Sequence, residues 1–150
     1  VSLYSIIYTK KYQNMYPADL VKPMREELTS IGFEELQSSE AVDKAINQSG
    51  TTLVVVNSVC GCAAANARPG ARMSLDNSKK PANLVTVFAG VDKEATDKAR
   101  AHMVPFPPSS PSMALFKDGE LVHMLERHHI EGRPAEMIAE NLKDAYNEYC

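Results

Sequence analysis

Cysteine is scarce in this chain, with three among 150 residues, and two of the three are separated by a single position. So few cannot make the disulfide framework that holds small secreted domains together. A chain of this length does not need one, since it buries ~70% of its unfolded surface in an ordinary core. Basic runs are missing as well: 16 Lys and Arg against 19 Asp and Glu leave a formal net charge of -3, with both signs scattered. That pattern argues against nucleic acid and against an anionic membrane as partner. The apolar runs are too short to span a bilayer. Val1 to Tyr8 is mildly apolar but lacks the basic segment and cleavage site of a signal peptide. Internal repeats and low-complexity tracts are absent. What remains is one domain, expected to be cytoplasmic, whose paired cysteines serve catalysis or metal binding rather than stability.

The chain is organised around Leu53-Val54-Val55-Val56-Asn57-Ser58-Val59-Cys60-Gly61-Cys62, followed by Ala63-Ala64-Ala65. Consecutive aliphatics that give way to polar residues predict a buried strand ending in a turn, and the alanines predict the start of a helix. Cys60 and Cys62 therefore fall where free helical N–H groups and the positive end of the helix dipole favour a thiolate. Gly61 between them is expected to supply backbone freedom at the turn. Cys60, which precedes the helix, is expected to be the more acidic and more exposed nucleophile, and Cys62 the resolving thiol. With one residue between the cysteines the disulfide ring is small, which predicts a relatively oxidising couple.

The rest of the chain reads as alternating elements. Leu20, Met24 and Leu28 predict an amphipathic helix stopped near Gly32, with Pro23 in its first turn. A short strand is expected over 33–36, and Ser38-Ser39 caps a helix carrying Val42, Ala45 and Ile46. After the central strand, the helix from Cys62 runs toward Leu75 and should bend at Pro69. Leu84 to Ala89 forms a second apolar strand, and a helix with Ala95, Ala99 and Met103 on one face follows. Pro105 to Pro111 can be neither helix nor inner strand. Ser112 to Phe116 and Glu120 to Leu125 flank an Asp118-Gly119 hairpin turn. Arg127 to Arg133, with His128-His129, reads as a surface loop before a final helix opened by Pro134. The order, helix then β-α-β-α-β-α-β-β-α, is an α/β class with a central mixed sheet and helices on both faces.

Four blocks in this order resemble the bacilliredoxin family: Val56 to Ala63 with its Cys-Gly-Cys core, Ala67-Arg68-Pro69, Val87-Phe88-Ala89-Gly90 and Ser109-Ser110-Pro111-Ser112. The resemblance runs from Met15 to Cys150. It implies a thioredoxin-like domain over 15–150 with the N-terminal helix of Leu20 to Leu28 as a helical extension to the sheet, preceded by an N-terminal extension over 1–14 that is either native or added. It also implies a thiol-disulfide oxidoreductase that removes bacillithiol from protein mixed disulfides. The partners would be S-bacillithiolated proteins and bacillithiol itself, a substrate thiol, with no cofactor and no metal. By the same resemblance Pro69 matches the proline of the helix after the active-site cysteines, and Pro111 matches the cis-proline facing them. Ser110 would then offer its backbone to a bound substrate. Val54 stands where thioredoxins carry a buried acid.

Asn57 and Ser58 can hydrogen-bond a thiolate or simply cap the turn. Arg68 and Arg72 either lend positive potential to the site or form a solvated helix face. Cys150 is a second resolving thiol if the tail folds back, and otherwise a bystander. Two rival functions use the same cysteines: a protein disulfide isomerase or reductase, and a non-catalytic metal-binding or adaptor domain built on Cys60, Cys62 and a histidine. The metal reading has scattered candidates only, in Cys150, His102, His123, His128 and His129.

Overall fold

The computed structural model describes residues 16–150, so the extension expected over 1–14 lies outside the described residues. Twelve-residue helix α1 (Ala18–Thr29) leads to the two-residue strand β1 (Glu34–Glu35). Helix α2 (Ser39–Asn47) starts at Ser38, whose hydroxyl accepts from the Ala41 N–H as a helix cap. Strand β2 (Thr51–Asn57) is buried along its full length. A π-helical turn (Ala63–Ala67) then passes directly into α3 (Arg68–Ser74). Strand β3 (Asn83–Phe88), helix α4 (Lys93–Ala101), the hairpin β4 (Ser112–Lys117) and β5 (Glu120–Leu125), the short helix α5 (Arg127–Ile130) and α6 (Ala135–Tyr149) complete the chain.

The sheet order is β1-β3-β2-β4-β5. β1 and β2 both run parallel to β3, whereas β4 is antiparallel to β2 and to β5. This is the mixed α/β architecture expected from the sequence. Alternation along β2 separates two apolar layers, as a strand's period of two requires. Leu53 and Val55 pack with Leu28 of α1, Ala67 and Ala71 of the active-site helix, and Ile138 and Leu142 of α6. Val54 and Val56 point the other way, into a layer with Val42 and Ile46 of α2 and Ala95 and Ala99 of α4. Helices therefore cover both faces and leave the C-terminal end of β2 as the place where the chain emerges.

Several local expectations need correction. Pro23 lies in the second turn of α1, where it removes a bond that the helix would otherwise make. Pro69 does not simply kink its helix. The turn before it widens so that the Arg68 N–H reaches the Ala63 carbonyl, five residues back, which accommodates a residue with no N–H and a bulky ring. The expected loop after β5 contains α5, whose start is closed by a reciprocal cap: the Glu126 side chain accepts from the His129 backbone, and the Glu126 N–H donates to His129 Nδ1. The hairpin turn behaves as read, with Asp118 at φ 51° and Gly119 at φ 84°, the left-handed pair of a two-residue turn.

Candidate active site

β2 ends at Asn57, and from Gly61 the chain is helical. Cys60 sits at the start of that helix, where its carbonyl accepts from the Ala63 and Ala64 N–H groups at 3.0 and 3.3 Å. Its sulfur lies 3.2 Å from Ser58 Oγ and 2.7 Å from Cys62 Sγ. The three described cysteines are free thiols, with Cys60 and Cys62 half-buried and Cys150 exposed. Gly61 is exposed and within the first helical turn, and a Cβ there would meet no atom within 4 Å. Its φ is not among the positive ones, so the expected backbone freedom is not what Gly61 provides. It leaves open space beside the cysteine pair instead.

The two thiols are driven apart in acidity. Burial raises Cys60, but hydrogen bonds from Cys62, from Ser58 and from the Ala63 N–H, helped by the charge of Arg127, outweigh it and hold this thiol below its ordinary value. Cys62 goes the other way. Burial raises it, and so do its hydrogen bond to Cys60 and the negative charge that Cys60 acquires, with Arg127 only partly opposing. Between these neighbouring sulfurs the balance therefore favours the thiolate on Cys60 over one on Cys62.

Asn57 and Arg68 are part of the frame behind the sulfurs. Asn57 Nδ2 donates to the Met24 carbonyl of α1, and its Oδ1 accepts from the Ser58 N–H at 2.9 Å. Arg68 is 3% exposed, so it is no solvated helix face. One of its Nη atoms donates to Asn57 Oδ1 and to the Ser58 carbonyl, each at 2.9 Å, and its Nε pairs with Glu27. Neither residue touches a cysteine sulfur among the described hydrogen bonds. They hold Ser58, which does.

The Ser110–Pro111 peptide is cis, and so is Val104–Pro105. Antiparallel pairing sets Ser112 opposite Val56, so the chain entering β4 through Ser110 and Pro111 runs beside the exit of β2 toward Ser58 and Cys60. Pro111 is buried and Ser110 half-buried. Arg127 was not singled out from the sequence. Its backbone N–H donates to Ser109 Oγ, its Nη1 to the Ser110 carbonyl and its Nε to Glu131, each at 3.3 Å. It is the residue that ties the proline segment to the charge at the cysteines.

Cys150 falls elsewhere. Asn66, in the turn next to the cysteines, donates to the Arg133 carbonyl just before α6, whereas Ser74 at the far end of α3 bonds Tyr146 at 2.9 Å. α6 therefore runs alongside the active-site helix: the twelve residues from Cys62 to Ser74 span about 18 Å and end level with Tyr146, and Cys150 lies a further turn beyond it. The tail does not fold back, which removes Cys150 as a resolving thiol. A metal site on the cysteines is not supported either. Among the described residues one group of three potential ligands lies within mutual reach, Glu126, His128 and His129, and it includes neither Cys60 nor Cys62.

The family described as Disulphide isomerase matches residues 16–150. A bacilliredoxin of Cytophaga hutchinsonii is 61% identical over 134 residues, covering 89% of this chain and 99% of that one. One from Halalkalibacterium halodurans is 56% identical over 136 residues, covering 90% and 94%. Among solved structures, mitochondrial thioredoxin 3 of Saccharomyces cerevisiae aligns with a TM-score of 0.56 at 17% identity, over 81% of this chain and 98% of that one. A thioredoxin from Halobacterium salinarum aligns with a TM-score of 0.53 at 19% identity, over 77% and 88%. These two likenesses establish a thioredoxin-like fold. Matched at this identity over nearly all of its described length, and carrying its paired thiols at the start of the helix after β2, the chain belongs to the bacilliredoxin family and is a thiol-disulfide oxidoreductase.

Proposed function

We propose that the protein removes bacillithiol from protein mixed disulfides, with Cys60 as nucleophile and Cys62 as resolving thiol. The Cys60 thiolate attacks the bacillithiol sulfur, a new S–S bond forms as the old one breaks, and the target leaves as a thiolate that takes a proton from water. Cys62 then loses its proton and displaces bacillithiol, leaving Cys60–Cys62 oxidised by two electrons. Bacillithiol acts as substrate, no cofactor takes part, and the setting is cytoplasmic. Gly61, Ser110 and Pro111 border the approach to the sulfurs. The observation that carries the reading is the placement of Cys60: its sulfur at a helix start, within hydrogen-bond reach of Ser58 and of Cys62, where its thiol is held below the ordinary value and that of Cys62 above it.

Intact mass after incubation with a bacillithiol-modified protein tests this. Cys62→Ala should gain one bacillithiol, free the target once and stop, whereas Cys60→Ala should leave the target modified. The family description favours one second reading, a protein disulfide isomerase. In that case Cys62→Ala would carry the whole target protein. An unmodified Cys62→Ala variant beside an unchanged target would remove Cys60 as nucleophile.

A further inference from the structure

Resting on the exchange role of Cys60, we infer that Arg127 is a specificity-determining residue which selects mixed disulfides whose small-thiol half carries an anion. Three observations place it for that task. Leu125 of β5 pairs with Met113 of β4, and Ser112 pairs with Val56, so the residues just after β5 reach the same edge of the sheet as Ser110, Pro111 and the exit of β2. Arg127 is anchored there through its backbone and one Nη, which donate to Ser109 and Ser110 at 3.3 Å. The guanidinium is nevertheless accessible, with a side-chain exposure of 43%, and its only acidic partner, Glu131, is an exposed i,i+4 pair at 3.3 Å among the described residues. Such pairs are weak and readily exchanged for an incoming carboxylate, which a guanidinium can bind through two N–H groups.

The Ser110 carbonyl is already accepting from Arg127, so a substrate lying against this segment meets a cation rather than a bare acceptor. The acidity of both thiols responds to the same charge, consistent with its lying on the sulfur side of the loop. The chain as a whole is negative by 3, so a preference for anions cannot come from its overall field. It has to come from a local cation. The preference concerns the half of the disulfide that Cys60 attacks, and the exchange balances as before: Cys60 bonds to that half as the original S–S bond breaks and the other half departs as a thiolate.

The test uses three small symmetrical disulfides, dithiodipropionate (anionic), bis(2-hydroxyethyl) disulfide (neutral) and cystamine (cationic). Loss of the Cys60 thiol is followed in full-length Cys62→Ala protein with and without Arg127→Gln, at ~0.15 M salt so that remote charges are screened. Comparing variant with parent for each disulfide cancels the differing leaving groups. Arg127→Gln should lower the anionic-to-cationic rate ratio by about tenfold, the scale of one unit charge acting across a solvent-exposed gap. Arg127→Lys should keep most of that ratio, and Glu131→Gln should raise it. Equal slowing of all three disulfides, or no change in any, overturns the inference while leaving Cys60 as the nucleophile. A Cys60 that reacts with none of the three removes the proposed function, and the inference with it.

Discussion

The two ends of one helix pair hold the described cysteines in opposite circumstances. At the start of the active-site helix, Cys60 lies 3.2 Å from Ser58 Oγ and 2.7 Å from Cys62 Sγ, over a frame in which buried Arg68 holds Asn57 and Ser58. At the far end of α6, Cys150 is exposed, and among the described residues its backbone N–H bonds the Tyr146 carbonyl while its sulfur makes no hydrogen bond. Between them the two helices are locked closely: a Cβ on Gly70 of α3 would sit 2.7 Å from Ile138 Cγ2 of α6. A thiol is made more acidic here by helix polarity and by donors fixed from behind, whereas exposure alone does nothing for it.

The comparison can be broken most severely from behind the site. Arg68→Met should cost roughly 2–3 kcal/mol in urea unfolding, because the Ser58 carbonyl and Asn57 Oδ1 lose a charged donor inside the fold. Its Cys60 should also alkylate more slowly near neutral pH as Ser58 loosens. A variant with wild-type stability and reactivity would show that the frame does not support the sulfur.

Gly70→Ala tests the clamp between the two helices. Ile138 is 1% exposed and cannot swing into solvent, so α3 and α6 must separate slightly, at about 1–2 kcal/mol. An unchanged unfolding midpoint would mean that the helix pair adjusts freely.

The third prediction sharpens the contrast within the reactive end itself. Cys60 is held below the ordinary thiol value and Cys62 above it. As pH rises, iodoacetamide should therefore label Cys60 first, through its early thiolate, and Cys62 only in more alkaline solution. Peptide mapping across a pH series gives the order. Ser58→Ala removes one donor to the Cys60 sulfur and should shift its labelling profile to higher pH, so labelling of Cys62 first, or no response to Ser58→Ala, would refute the assignment.

The smallest effect is expected at the far end. Cys150→Ala should leave both the exchange rate and the unfolding midpoint within error of wild type. A rate loss comparable to that of a resolving-thiol variant would restore Cys150 to the mechanism.

Local rules were enough to find β2, the helix after it and the two cysteines at their junction, because aliphatic runs, alanine runs and a turn between them act over a few neighbouring residues. The Asp118-Gly119 turn was legible for the same reason. Arg68 was not: a charged residue on a helix reads as solvated until the helix is packed, and only the approach of α1 with Glu27 and of the end of β2 gives its guanidinium enough partners to be buried. Gly61 misled because a glycine at a turn suggests unusual backbone angles, while here it contributes the lack of a side chain.

Arg127 shows the boundary most clearly. Counting back from a two-residue turn that pairs Lys117 with Glu120 brings Glu126, an acid, opposite Pro111. The hairpin instead carries a register shift between Leu115 and Phe116, after which Leu115 faces His123 and Met113 faces Leu125, and the cation Arg127 takes that place. The sequence by itself determined the α/β order and the pair of thiols at a helix start, through interactions between near neighbours. Which charge stands beside the Ser110–Pro111 segment was decided only in the tertiary structure, because a one-residue slip in strand pairing depends on packing across the whole sheet.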